Sequence, residues 1–203
     1  MKKITRSSIF IECGMIVTQI QKHHSKKEKN MKFTLRAVAA ILVIAPLYAY
    51  AGGDPEHVKF PEGYEKAFTK YATINRANQT QVAKLYANEV AISSYTQGNK
   101  SASGAVVIME IYTPKKGADG KPIAGSDGIF EIDSLAAVAV MENRNNWDNA
   151  FPKESRTGDW GFALYNPEGT AKSNDLNCVQ CHTPLQAQDY LFTYQKLVDF
   201  VKK

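Results

Sequence analysis

An α+β fold is the class this sequence predicts: an antiparallel β-sheet with an N-terminal helix and a C-terminal helix. Three observations carry the prediction. Tyr64, Phe68 and Tyr71 recur at helical spacing after a proline. Several β-branched runs follow, separated by turn residues. Leu191, Tyr194, Val198 and Val201 then restore helical spacing near the end of the chain. A helix, a group of strands and a second helix, in that order, describe a sheet with helices packed to its side.

The elements follow in chain order. "FPEGYEKAFTKYATIN" (60–75) opens with Pro61 and carries acids in its first turn, so a helix is expected across it. "QVAKLYANEVAISSYTQGN" reads as a short strand to Tyr86 and then a helical turn or two ending at Gly98. "GAVVIMEIYTP" (104–114) is β-branched and reads as a strand. "KKGADGKPIAGSDG" consists of turn residues. "IFEIDSLAAVAVMEN" is a second strand region, apolar on both faces towards its end, and "NRNNWDNAFPKESRTG" is a long polar loop. "DWGFALYNPEG" is a further strand with a turn, and "DYLFTYQKLVDFVKK" is the closing helix. No internal repeat and no low-complexity segment is expected.

The first quarter of the chain reads differently. "MKFTLRAVAAILVIAPLYAYAGG" starts at Met31 with the basic residues Lys32 and Arg36, continues through an apolar run, and reaches small residues Ala49 and Ala51. This is the pattern of a cleavable secretory signal over residues 31–51, and the apolar run is short for a membrane span. An uncleaved anchor is the competing reading. Residues 1–30 precede the signal and read as a mis-called upstream extension, with a genuine cytoplasmic extension as the alternative. Residues 52–203 are the expected mature domain, a length that suits one core.

Export changes the charge argument. Residues 1–51 hold nine of the 25 lysines and arginines and two of the 20 acidic residues. The remainder carries 16 basic and 18 acidic residues, a net charge of about −2, so the basic balance gives no support for nucleic-acid binding. Once the signal is removed no membrane span is expected.

Only Cys178 and Cys181 lie in the mature region, and they fall in "NCVQCH". C-x-x-C-H is the attachment pattern of c-type haem. Each thiol adds to one vinyl group, so both must sit on one short turn, and the next residue, His182, lies where its imidazole can ligate the iron. A thioredoxin-like pair normally follows an early strand, and this pair lies 21 residues from the end. A zinc site would need further ligands, and His57 is the other mature histidine. A plain disulfide would not require His182. The expected cofactor is one covalently attached haem c, with sheet and helices packed around it, in an exported, periplasmic protein. Small electron-carrying cytochromes place the motif early and take a methionine from downstream. Here Met109 and Met141 are both upstream, so an open haem face is expected. The intervening strands argue against a four-helix cytochrome.

Four stretches together, "FPEGY", "GAVVIMEIY", "RTGDWGFALYNPEG" and "CVQCHTPLQAQDYLFT", resemble the cytochrome P-460 and cytochrome c′-beta family over most of residues 59–194. The resemblance implies a periplasmic, β-rich, single-haem protein, often a homodimer. It implies either hydroxylamine oxidation or binding of nitric oxide and related small ligands, with electron exchange with a periplasmic partner also open. Cys178 and Cys181 match the thioether cysteines and His182 the proximal ligand. The P-460 branch cross-links a lysine of a G-x-x-x-x-K-E strand to its haem. Gly104 and Glu110 fit that pattern, but the lysine position holds Met109. The chain therefore looks more like the c′-beta branch.

Strand alternation puts Ala105, Val107, Met109 and Ile111 on one apolar, inward face. Met109 is thus a core filler or a weak axial ligand, and Met141 is similar. Trp160 and Phe162 share a face and either wall the open side of the haem or fill the core. Glu110 is either a pocket carboxylate that relays protons or a solvated edge residue. These five are the distal-pocket candidates. Three functions follow: a haem protein binding nitric oxide or a similar nitrogen-oxide ligand, an enzyme acting on hydroxylamine or peroxide, and a six-coordinate electron carrier closed by Met109 or Met141.

Overall fold

The structure, a computed structural model, describes residues 53–98, 100–149 and 151–203. The expected upstream extension (1–30) and signal peptide (31–51) lie outside the described residues. Five strands form one antiparallel sheet: β1 (Thr69–Asn75), β2 (Val82–Ala87), β3 (Val106–Pro114), β4 (Ile132–Asn143) and β5 (Trp160–Tyr165). Each strand pairs with its neighbour in sequence, so the sheet is a meander. The helices are α1 (Tyr64–Ala67), α2 (Glu89–Thr96), α3 (Cys178–His182) and α4 (Tyr194–Val201), with 3₁₀ turns at Lys153–Ser155 and Thr183–Gln188. The α+β reading is the observed class. None of the described helices is long and apolar enough to cross a membrane.

The expected helix over 60–75 is corrected. Only the single turn Tyr64–Ala67 is helical, and residues 69–75 are a strand. The register of β1 against β2 slips between Lys70 and Ala72, which makes Tyr71 a bulge. A bulge inserts one residue into the two-residue alternation. That slip left Tyr64, Phe68 and Tyr71 at a spacing that mimics a helix.

Cross-strand pairing sorts the side chains onto two faces. Leu85 pairs with Met109, Met109 with Ala139, Val107 with Met141, and Met141 with Phe162. This face is covered by α2 and α4, whose Ala91, Tyr95 and Leu197 join Leu85, Val107, Trp160 and Phe162 in one buried cluster. The other face carries Tyr86, Ile108, Val138, Val140, Ala163 and Tyr165, and is covered by Val58, Tyr64 and Phe151. A sheet buried on both faces explains why "SLAAVAVME" in β4 shows no clean alternation.

Asn88 joins three elements at the edge of the first face. Its Oδ1 accepts from Ala91 N, capping α2, and from Val106 N at the start of β3, both at 3.0 Å. Its Nδ2 donates to Gly104 O at 2.8 Å. Gly104 has φ +91°, which explains the glycine that opens the β3 sequence.

The link between β3 and β4 contains a short repeat that the sequence reading missed. Gly117–Gly120 and Gly125–Gly128 are two tight G-x-D-G turns, closed by Gly120 N to Gly117 O and by Gly128 N to Gly125 O, both at 3.0 Å. In each turn the aspartate accepts from the amide two residues on, Asp119 from Lys121 and Asp127 from Ile129, both at 3.0 Å. Asn75 at the end of β1 holds this arm, donating to Gly128 O at 2.8 Å and accepting from Phe130 N at 2.9 Å.

Glu110 is buried on the second face at 4% exposure. It accepts from the phenols of Tyr64 and Tyr112 at 2.8 Å and Tyr86 at 3.0 Å. A glutamine offers one acceptor oxygen where the carboxylate offers two, and its amide turns donors towards donors. Glu110→Gln is expected to destabilise the fold by roughly 1–3 kcal/mol, the cost of leaving buried polar groups unpaired. Urea unfolding checks this, and an unchanged midpoint contradicts it.

A second expectation concerns alkaline pH. Burial pushes the Tyr71 phenol from 10.0 up to about 12, against a smaller lowering by its bond to Thr193. The folded value lies above the unfolded one. Its stabilising contribution is therefore complete below pH 10.0 and is lost as the pH rises towards about 12. Tyr71→Phe should flatten the decline in stability over that window. Parallel profiles for the two proteins, from urea midpoints against pH, would contradict the assignment.

Candidate functional site

Asn177 starts the site. Its side chain accepts from Gln180 N at 2.9 Å and its carbonyl accepts from Cys181 N at 3.1 Å, which nucleates the short helix α3 directly on the cysteine motif. The helix places Cys178 and Cys181 one turn apart, both half-buried. Burial pushes the Cys178 thiol up. Thr183 Oγ1 donates to Val179 O at 2.7 Å, and the chain continues into the 3₁₀ turn.

His182 ends α3. Its Nδ1 lies 2.7 Å from the carbonyl oxygen of Tyr190, which can only accept, so Nδ1 carries the proton and Nε2 keeps a lone pair. Burial lowers the imidazole's proton affinity, with the Tyr190 bond opposing, and this favours the neutral form that ligates iron. The ring packs at 4.8 Å against both Phe162 and Phe192.

The "RTGDW" block braces the motif. Thr157 is buried, and its Oγ1 lies 3.4 Å from Val179 O and 3.5 Å from Thr183 Oγ1. Thr157 and Trp160 close a two-residue turn through reciprocal backbone bonds of 2.9 and 3.0 Å. Gly158 in that turn has φ +59°, and a Cβ there would stand 2.8 Å from the Tyr190 ring. Glycine therefore lets the turn close and lets Tyr190 press onto it.

The sequence candidates separate in space. Met109, Met141, Trp160 and Phe162 share the sheet face against which Cys178 and Val179 pack. Phe162 packs against the His182 ring itself. Glu110 lies on the other face in its cage of phenols, neither a solvated edge residue nor a neighbour of the motif. Alternation explains this, because Met109 and Glu110 are consecutive strand residues and point apart. Sequence reasoning missed Asp189 and Tyr190. The quoted "DY" was the signal, but their backbone conformation is invisible in a residue string.

The donor set suits a haem on three counts. The two thiols and the Nε2 lone pair sit in the order that thioether attachment and axial ligation require. Apolar side chains bracket the motif at the surface, Leu176 at 61% exposure and Phe192 at 50%, which a flat apolar group would cover. Trp160 Nε1 is fully buried on the motif face with no acceptor among the described residues, a donor that a bound group could take. Cys178, Cys181 and His182 would hold the haem, and its iron would supply ligand binding and one-electron chemistry.

No curated protein matches the chain. A family model described as cytochrome P460 matches residues 61–193, from the proline before α1 through the cysteine motif to the residue before α4. That range holds all five strands and every residue of the site built above. The chain belongs to the cytochrome P460 family of haem cytochromes.

Proposed function

We propose that this chain is an exported, periplasmic cytochrome with one haem c. The haem is attached through Cys178 and Cys181 and ligated by His182 Nε2, and its other axial face takes nitric oxide or a similar small nitrogen-oxide ligand. One observation supports this reading over hydroxylamine oxidation by a cross-linked haem. Among the described residues, no strand residue on the motif face is a lysine: the residues there are Ala83, Leu85, Ala87, Val107, Met109, Ile111, Ala137, Ala139, Met141, Trp160, Phe162 and their neighbours in register. Lys84 of β2 lies on the opposite face with its Nζ over the Tyr112 ring, and Lys115 pairs with Glu131 at 3.2 Å. An amine can bond to a porphyrin edge only when held against it, and this face offers thioethers in its place.

A second reading has its own observation. Met109 and Met141 both pack on the motif face, and a thioether can ligate haem iron. Either one closing the sixth position would make the protein an electron carrier. Ferric electron paramagnetic resonance separates the two. A high-spin signal supports the open face, and a low-spin signal supports a methionine ligand.

Intact mass spectrometry of exported protein is expected to show one haem added to a chain that lacks residues 1–51. His182→Ala is expected to keep that added mass, since attachment uses only the thiols, while the ferrous absorption spectrum changes. A spectrum unaltered by the substitution contradicts His182 ligation.

The wild-type protein is expected to show an ordinary c-type spectrum and weak hydroxylamine turnover. Met109→Lys puts an amine on the motif face, and a red-shifted haem in that variant alone is the expected result. A red-shifted haem with rapid hydroxylamine turnover in the wild type would overturn the ligand-binding reading.

A further inference from the structure

Asp189 and Tyr190 are consecutive residues in the left-handed backbone region, at φ +50° and +60°. Two successive non-glycine residues there are costly, and a bulky tyrosine especially so, unless surrounding structure holds them. The holding contacts are on Asp189. Its carboxylate is buried, and Oδ2 accepts from the Tyr95 phenol at 2.7 Å and from Ser101 N at 2.8 Å. Ser101 Oγ donates to the Tyr95 oxygen at 2.8 Å, which completes a chain from hydroxyl to phenol to carboxylate. Burial and the Asp189 charge keep the Tyr95 phenol protonated, so it donates. Tyr95 is itself fixed by its place in α2 and by an edge contact with Tyr194 at 5.7 Å.

What this anchored pair presents is one atom. The Tyr190 carbonyl, brought round by the left-handed turn, accepts from His182 Nδ1 at 2.7 Å. We infer that Asp189, held by Tyr95 and Ser101, is a positioning residue whose network aims the Tyr190 carbonyl at His182 and so sets how strongly that imidazole donates to the haem iron. The inference rests on the proposed His182 ligation. The physical link is the outer partner of a ligating histidine: a good acceptor at Nδ1 gives the ring partial imidazolate character, strengthens its bond to the metal and favours the ferric form.

The reach of the network makes it more than a local turn. Tyr95 and Asp189 are 94 residues apart in sequence, so the network links α2 and the loop after it to the proximal ligand. A change in the α2 region would therefore reach the iron through His182.

The test uses the haem-loaded full-length protein in three forms: wild type, Asp189→Asn and the milder Tyr95→Phe. Asparagine removes the charge from both accepted bonds, and phenylalanine removes one donor while keeping the ring. Resonance Raman of the ferrous proteins reads the iron–histidine stretch, and redox titration reads the ferrous-to-ferric ratio at a fixed poise. The stretch is expected to fall in frequency and the ratio to rise several-fold in Asp189→Asn, with a smaller change of the same sign in Tyr95→Phe. If thermal stability falls in both variants while the stretch and the ratio stay at their wild-type values, the network is structural only and the inference is overturned. If the wild type shows no iron–histidine stretch, the proposed open-faced haem ligated by His182 fails first, and the two failures are distinguished.

Discussion

The hydrogen bond between His182 Nδ1 and the Tyr190 carbonyl is the point on which the site turns. It fixes the tautomer, leaves Nε2 with a free lone pair and ties the end of α3 to the loop that leads into α4. Much of the surrounding structure serves it. Gly158 clears space for Tyr190, Thr157 braces α3, and Phe162 and Phe192 pack against the ring from two sides. None of these contacts is large alone. Together they hold a five-residue helix, far too short to be stable by itself, in one orientation against the sheet.

The sheet divides its labour by face. One side is an apolar platform of leucine, methionine, valine and aromatic side chains on which the cysteine motif and α4 lie. The other side closes on a carboxylate surrounded by three phenols and on the residues that lead into the sheet from Val58 to Tyr64. The polar chemistry of Glu110 is thereby insulated from the motif by the thickness of the sheet. A buried carboxylate needs hydrogen-bond donors close by, and aromatic phenols supply them without opening the core to water.

How far this was legible in the sequence depended on the range of the interaction involved. The strands β2 to β5, α2 and α4 follow from local periodicity and turn residues, except that α4 starts at Tyr194 and not at Asp189, because Asp189 and Tyr190 take the left-handed backbone region. The thiol and imidazole spacing is local too, so the centre of the site could be read directly. The strand β1 could not, because the bulge at Tyr71 broke the alternation that marks a strand. Glu110 was ambiguous because its partners come from α1, β2 and its own strand, 46, 24 and 2 residues away. Alternation did separate it from Met109, so placing both in one pocket conflicted with the pattern already noted. Phe162 lies on the face that alternation gives it, but its contact with the His182 ring is not encoded there, since a strand pattern gives the side of a residue and not what docks on it. Asp189 acts through a backbone angle and a partner 94 residues away, and no residue pattern encodes either.

The meander has a consequence for the order of assembly. Each strand pairs with the one before it, so the sheet closes through short loops at small entropic cost. The bonds that seal the molecule are different in kind: Tyr71 to Thr193 spans 122 residues and Tyr95 to Asp189 spans 94. Such closures are slow, and they wait for the C-terminal segment to leave the synthesis machinery. The platform thus stands ready before its cargo arrives, and the segment with the two thiols is the last to settle. In that interval both sulfurs are open to solvent, while docking afterwards half-buries them. A haem joined through those thiols would be attached in that window, before the topology shuts it.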